Sequence, residues 1–183
     1  MDTPLRLEPW AEGDFWLLER KNEPAMTEHL GGPETAAKLA DRHRRYLAMS
    51  AAAPAAGRMF TVRAAGTGGV AGTGGVAGTG GVVGSIGFWP REWQGEEVYE
   101  TGWGILPEHQ GRGLAVAAAR ALIAHARAHG DRRHLHAFPG AGHPASNGVC
   151  RRAGFTLMGT TDFEYPPGHW HPSNDWRYDL RAG

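Results

Sequence analysis

Trp103-Gly104-Ile105-Leu106-Pro107-Glu108-His109-Gln110-Gly111-Arg112-Gly113-Leu114-Ala115 decides how this chain folds. Before and into it, Tyr99, Thr101, Trp103 and Ile105 alternate with other residues, and the spacing predicts a strand over 98–106. After it, Leu114, Ala118, Leu122 and Ala126 recur at helical spacing in an Ala-rich run that Gly130 closes, predicting a helix over 112–129. A strand that turns through glycines into a long helix leaves the first helical amides without internal partners, at the positive end of the helix dipole. Such amides can hold a phosphate or pyrophosphate. Gly113 and Ala115 are small enough for a diphosphate to approach the backbone, and Arg112 can add a charge-assisted contact. The Gly-Lys-Ser/Thr ending of a P-loop is missing. Gly111-x-Gly113 supplies only two of the three glycines of the dinucleotide fingerprint.

Working outward, Leu5 and Leu7 alternate with Arg6 and Glu8 as a short strand. Asp14 opens a first helix through Phe15, Leu17 and Leu18 that ends near Asn22. Gly31-Gly32-Pro33-Glu34 reads as the start of a second helix, which runs through Leu39, Tyr46 and Leu47 until Ala51 to Gly57 stops it. Strands follow over 58–64, 83–89, 135–138, 155–158 and 176–180, with a short helix over 146–153 closed by Gly154. Helices come early, then strands, then β-α-β-α-β. This order predicts one α/β domain over residues 1–183 with a partly antiparallel sheet.

Residues 66–83 are three hexapeptides of the form Gly-Thr-Gly-Gly-Val-Ala, the last ending Val82-Val83; nine of these 18 residues are glycine. Ordering such a backbone is costly and leaves little side chain to pack. Three hexapeptides make about one coil of a β-helix, which cannot bury its face without neighbours. The segment therefore reads as an expanded hairpin loop between two strands.

Composition narrows the function. Lys+Arg and Asp+Glu both number 19, so formal net charge is zero, and the strongly basic face of a general nucleic-acid binder is not expected. Only Lys21 and Lys38 are lysines, a bias read first as coding composition. One cysteine, Cys150, excludes an internal disulfide framework and an all-thiolate metal site. No secretion-signal layout and no long apolar run is present, so the expectation is a cytoplasmic chain with no membrane partner. His134-x-His136 and His169-x-His171 place pairs of imidazoles on one face of a strand, but no third ligand is set by spacing, and no metal is expected.

Gln110-Gly111-Arg112-Gly113-Leu114-Ala115 resembles the Gln/Arg-x-x-Gly-x-Gly/Ala signature of the GNAT superfamily of N-acetyltransferases, between a strand and a long helix as that family has it. His143-Pro144-Ala145-Ser146-Asn147-Gly148-Val149-Cys150-Arg151-Arg152-Ala153-Gly154-Phe155 resembles the family's Asn-x-x-Ser-…-Gly-Phe helix. Leu5 to Trp10, followed by Asp14, resembles the opening of the branch that includes ribosomal-protein N-terminal acetyltransferases. The resemblance covers nearly the whole chain apart from the Gly-rich insert. It implies the GNAT fold: a mixed, mostly antiparallel central sheet with splayed parallel strands, flanked by helices.

The resemblance also implies acetyl-coenzyme A as co-substrate, its pantetheine arm lying in a gap between strands 98–106 and 135–138. Backbone groups near Ile105 and Leu106 would pair with the arm. Amides from Gly111 through Arg112, Gly113 and Leu114 to Ala115, beside Gln110, would take the pyrophosphate. His143 stands where the family usually has Asn and would donate one hydrogen bond to the arm. Glu100, ten residues before Gln110, matches a frequent general-base position; the alternative is a solvated or salt-bridged strand carboxylate. Ser146 matches the family serine as acid or polariser, a role compatible with capping its helix. Cys150 falls where other members carry Tyr and could donate a proton, or be a small buried residue.

For the acceptor, Trp89 and Trp93 flank Pro90 and could rim a pocket. The run Glu164 to Trp170 reads either as a lid carrying Trp170 over the acceptor or as a plain hairpin connection. The expected partner is a small-molecule or peptide amine, and neutral net charge does not choose between them. A homodimer is compatible with the sequence. The rival expectation is a non-catalytic acyl-coenzyme A sensor or scaffold of the same fold.

Overall fold

The computed structural model describes residues 5–64 and 81–182. Among these residues, seven strands form one sheet: β1 (Leu5–Pro9), β2 (Arg58–Ala64), β3 (Val82–Trp93), β4 (Glu96–Ile105), β5 (His134–Ala137), β6 (Thr156–Glu164) and β7 (Trp170–Asp179). Their order is β1-β2-β3-β4-β5-β7-β6, and every neighbouring pair is antiparallel except β4–β5. Five helices accompany them: α1 (Phe15–Lys21), α2 (Pro24–Thr27), α3 (Ala36–Ala51), α4 (Leu114–His129) and α5 (Pro144–Ala153). The α4 crossover is what makes β4 and β5 parallel, because a parallel pair needs a long connection.

Adjacent residues feed opposite cores. Met59 and Phe60, Val82 and Val83, Ile105 and Leu106 each send one side chain to either face. Phe60, Val83 and Ile105 join Leu122, Leu135 and Trp176 in the larger core with α4 and α5. Met59, Val82 and Leu106 join Trp10, Leu17, Leu18 and Leu39 beneath α1 and α3. A sheet covered on both faces uses continuous apolar runs, which is why β2 and the start of β3 read without clean alternation.

Several boundaries differ from the sequence reading. The second helix does not start at Gly31-Gly32-Pro33-Glu34. Gly31 and Gly32 sit at φ 85° and 91°, in the left-handed region, and Asn22 holds Glu34 by both backbone groups (2.7 and 2.9 Å). Helix α3 begins at Ala36, where Thr35 Oγ1 accepts the Lys38 amide. Strand β3 runs through Pro90 to Trp93 rather than ending at Trp89. Pairing with β2 stops at Arg58↔Phe88, so the N–H that proline lacks falls beyond the end of that neighbour and no ladder bond is lost. Gln94 and Gly95, both at positive φ, then turn the chain tightly into β4. The β3–β4 register is unbroken past Gly102.

The hexapeptide loop expected over 66–83 lies mostly outside the described residues; Val82 and Val83 begin β3, and the Ala64 amide donates to Gly81 O (2.8 Å) where β2 and β3 meet. No described helix is long and apolar enough to cross a membrane.

Candidate active site

β4 pairs with β5 only at Tyr99↔Leu135 and Glu100↔His136, although β4 continues to Ile105. The Leu106 amide donates to Val83 O at 2.9 Å. By strand alternation, the backbone groups of Thr101, Trp103 and Ile105 therefore face away from β3, toward the gap that opens beyond Glu100. A cleft of about 830 Å³ follows this gap from the start of α4 to the α1–α3 side of the molecule.

At its first end, Gly111 and Gly113 stand at φ 74° and 75° with open space where a side chain would be. Gly113 caps α4 with no side-chain cap, and the first amide to close a helical bond is Ala117, onto Gly113 O (3.1 Å). The amides of Leu114, Ala115 and Val116 thus have no partner inside the helix and point at the cleft mouth. Gln110 Nε2 donates to Ile105 O (2.8 Å) and ties this loop to the strand end. The residues fit a diphosphate in its backbone amides, its room and its dipole.

In the middle, α5 begins at Pro144 with His143 as its N-cap residue, so Ser146 lies in the first turn and is not the cap. Ser146 Oγ lies 3.2 Å from His143 Nε2, and the His143 ring stacks on His29 at 4.1 Å. Burial, then the His29 charge, lowers the His143 pKa. Asn147 anchors this turn. Its amide donates to Gly140 O (2.9 Å) and His143 O (2.8 Å), and its Oδ1 accepts from Asn174 Nδ2 and Trp176 Nε1 (2.8 Å each).

Glu100 lines the cleft beside Trp89 and Thr101. Arg91 Nη1 donates to Glu100 Oε2 at 2.6 Å, and the Arg91 guanidinium lies 4.5 Å over the Phe163 ring. Tyr99, on the opposite face, gives its hydroxyl proton to acceptors outside the cleft, Asp131 Oδ1 (2.7 Å) and Ala55 O (2.8 Å) being within reach.

The far end is built by α1, α3 and the β6–β7 connection. Arg42 binds both Glu34 oxygens (2.9 and 2.7 Å) and reaches Tyr165 Oη (3.2 Å). Lys21 Nζ donates to Ser85 Oγ (2.6 Å), its stem crossing β4 where Gly104 leaves room; a Cβ there would stand 2.5 Å from Lys21 Cε. Burial, then the Arg42 charge, lowers the Lys21 ammonium to about 8.

The structure brings Trp89, Glu100, Ile105, Gln110, Gly111, Gly113, Leu114, Ala115, His143 and Ser146 to this one cleft. Five expected residues are placed elsewhere, the first being Trp93, which lies outside the cleft lining and donates its Nε1 to Asp175 Oδ2 (3.0 Å). Leu106 spends its amide on Val83 and its side chain in the second core, so it has no N–H to offer a ligand arm. Arg112 is exposed outside the cleft wall. Cys150 is fully buried in the larger core, where burial pushes its thiol up to about 12, so it has neither access nor the acidity to protonate a leaving thiolate. Trp170 is 66% exposed, because strand alternation turns the next residue, His171, into the cleft. Sequence reasoning missed Lys21, Arg42 and His29, whereas Tyr165, within the run from Glu164 to Trp170 read as a lid or a hairpin connection, lines the cleft. Among the described residues, no three His, Cys, Asp or Glu side chains are grouped to hold a metal. His134 pairs with Glu96 (3.1 Å), and His136 donates to Asp175 (2.6 Å).

The sheet, the gap and the glycine turn agree with sequence comparison: residues 4–156 match the model of the acetyltransferase (GNAT) domain. The chain belongs to the GNAT acetyltransferase family. Curated protein sequences hold no match. Solved structures share the fold. An acetyltransferase from Agrobacterium tumefaciens is 23% identical, with 97% of this chain and 92% of that one covered at a TM-score of 0.71. An acetyltransferase from Salmonella typhimurium that modifies the N-terminal serine of ribosomal protein L7/L12 is 19% identical, with 97% and 96% covered at 0.71. Spermidine N-acetyltransferase from Vibrio cholerae, solved with coenzyme A and spermine, is 15% identical, with 96% and 95% covered at 0.70.

Proposed function

We propose that this chain moves the acetyl group of acetyl-coenzyme A onto a primary amine by direct attack in a ternary complex. One observation carries the reading: the unpaired edge of β4 leads from the free amides of α4 to Glu100 along a single cleft. The amides of Leu114, Ala115 and Val116 would hold the pyrophosphate, and the Trp103 and Ile105 backbone the pantetheine arm.

An ammonium has no lone pair, so the acceptor must first lose a proton; its pKa is typically about 8–10. Glu100 receives that proton, directly or through water. The amine lone pair then forms the C–N bond at the thioester carbonyl carbon and the C–S bond breaks. The attacking nitrogen sheds its second proton as the C–S bond breaks, and Ser146, held by His143, relays it: the hydroxyl gives its proton to the departing thiolate and takes the one released from nitrogen, so no alkoxide remains. Cys150 and Trp170 have no part in this scheme. A cytoplasmic location belongs to the same proposal, supported by the single unpaired thiol.

The second reading is a non-catalytic acyl-coenzyme A binder, favoured by the Arg91–Glu100 ion pair, which already occupies one carboxylate oxygen. Thiol release from acetyl-coenzyme A with a panel of amines separates the two. Turnover that Glu100→Gln depresses supports the enzyme; tight cofactor binding without turnover on any amine supports the binder.

A further inference from the structure

Among the described residues, five charged side chains line the cleft: Arg152, Glu28 beside the His29–His143 pair, Glu100, Arg42 and Lys21. Glu100 is neutralised by Arg91 and Arg42 by Glu34. Lys21 differs. Its one hydrogen bond is to a neutral hydroxyl, Ser85 Oγ, and among the described residues no carboxylate lies within ion-pair distance of Nζ. The charge that acts on it is a second cation, Arg42. Gly104 lets the lysine stem lie flat on β4, so Nζ is held at the cleft wall and cannot swing freely into water. A cation kept from water without a counter-ion is costly, and an anion that arrives with a ligand removes that cost.

Next to Lys21 the cleft meets a side chamber of about 240 Å³ that shares Lys21, Arg42, Tyr46 and Tyr165 with it. Lys38 also lines this chamber, so both lysines of the chain do. Its one acidic lining residue among those described, Glu34, is already bound by Arg42. The chamber, which meets the cleft at Lys21 and Arg42, therefore presents excess positive charge.

We infer that the acceptor amine carries a carboxylate, and that Lys21 at the mouth of the side chamber binds it. The inference rests on the acetyl-transfer reading and names its substrate class: an amino acid or a short acidic peptide, with the ammonium directed to Glu100 and the carboxylate to Lys21. A polyamine would bring further positive charge to Lys21 and Arg42 and would be a poor acceptor.

Two probes that carry no amine, and so never react, test the site itself: 3-phenylpropionate and 3-phenylpropionamide, titrated by calorimetry into the protein with and without coenzyme A. The acid is expected to bind about tenfold or more tighter than the amide, the size of one hydrogen bond to a charged group. That preference should vanish in Lys21→Met and persist in Lys21→Arg. Equal binding of the two probes by the parent protein overturns the inference, as does an acid preference that Lys21→Met leaves intact. Turnover is read separately with phenylalanine against phenylalaninamide. Acid binding without any turnover would remove the acetyl-transfer reading and leave the carboxylate site standing. Turnover with no preference for phenylalanine would keep the enzyme and overturn the carboxylate site.

Discussion

Glu100 Oε2 accepts a hydrogen bond from Arg91 Nη1 at 2.6 Å, and the same guanidinium lies 4.5 and 5.5 Å from the Phe163 and Phe138 rings, which stack on each other at 4.4 Å. The carboxylate is thereby aimed, with its second oxygen left for the acceptor. Glu100→Gln should lower kcat by about 10²–10⁴-fold with acetyl-coenzyme A affinity unchanged. Arg91→Met keeps the carboxylate but frees its direction, and should fall between the parent and Glu100→Gln. Steady-state thiol release on the best amine checks both.

Asn147 joins α5 to β7 and to the Gly140 turn with four hydrogen bonds. Asn147→Ala leaves the buried indole N–H of Trp176 and the Asn174 amide without their acceptor, whereas the Gly140 and His143 carbonyls keep the backbone amides of His143 and Asn147, at about 1–3 kcal/mol for each group left unpaired. The expected result is a fall of about 6–12 °C in Tm, taking about 3 kcal/mol in total at 2–4 °C per kcal/mol. Thermal unfolding followed by circular dichroism measures it.

Cys150 sits in the core with its thiol pushed up to about 12. The native protein should react with a thiol reagent only as fast as it opens, and fully once denatured. Cys150→Ala should keep kcat within about twofold, since core removal of one sulfur costs stability and not chemistry.

His143 favours its neutral form in the fold, because burial and His29 lower its pKa below the ordinary 6.5. Below 6.5 the unfolded chain binds a proton that the folded chain refuses, so stability falls as pH drops from there toward the lowered folded value. Tm measured from pH 7.5 to 5 should decline across that window, and the decline should be shallower in His143→Asn.

The glycine turn, the long helix and the mostly antiparallel sheet were legible because each rests on local signals: alternation through Tyr99 and Ile105, helical spacing from Leu114, and Gly130 as a stop. The start of α3 was not, because Asn22 and Glu34 bind each other across twelve residues and no local pattern records that. Pro90 hid the second half of β3, since only the shorter length of β2 makes a proline harmless there. At the site, residues of the strand–turn–helix unit were readable in sequence order, whereas the acceptor wall comes from α1, α3 and the β6–β7 connection. Lys21 did carry a signal. It is one of only two lysines among 19 basic residues, a scarcity the composition alone left as coding bias. Trp170 illustrates the opposite error: a large aromatic draws attention, yet one step of strand alternation exposes it and turns His171 inward.

The central claim is that the free amides where α4 begins grip a diphosphate through a turn that favours glycine, Gly113 standing at φ 75°. Titration calorimetry of coenzyme A into the parent protein and Gly113→Glu tests it most directly. A left-handed non-glycine residue costs about 1–2 kcal/mol, and a carboxylate facing phosphates adds repulsion. The account predicts a clear binding heat for the parent and a loss of about a hundredfold or more in affinity for Gly113→Glu. No heat with the parent protein, or equal affinity in the two, would contradict it.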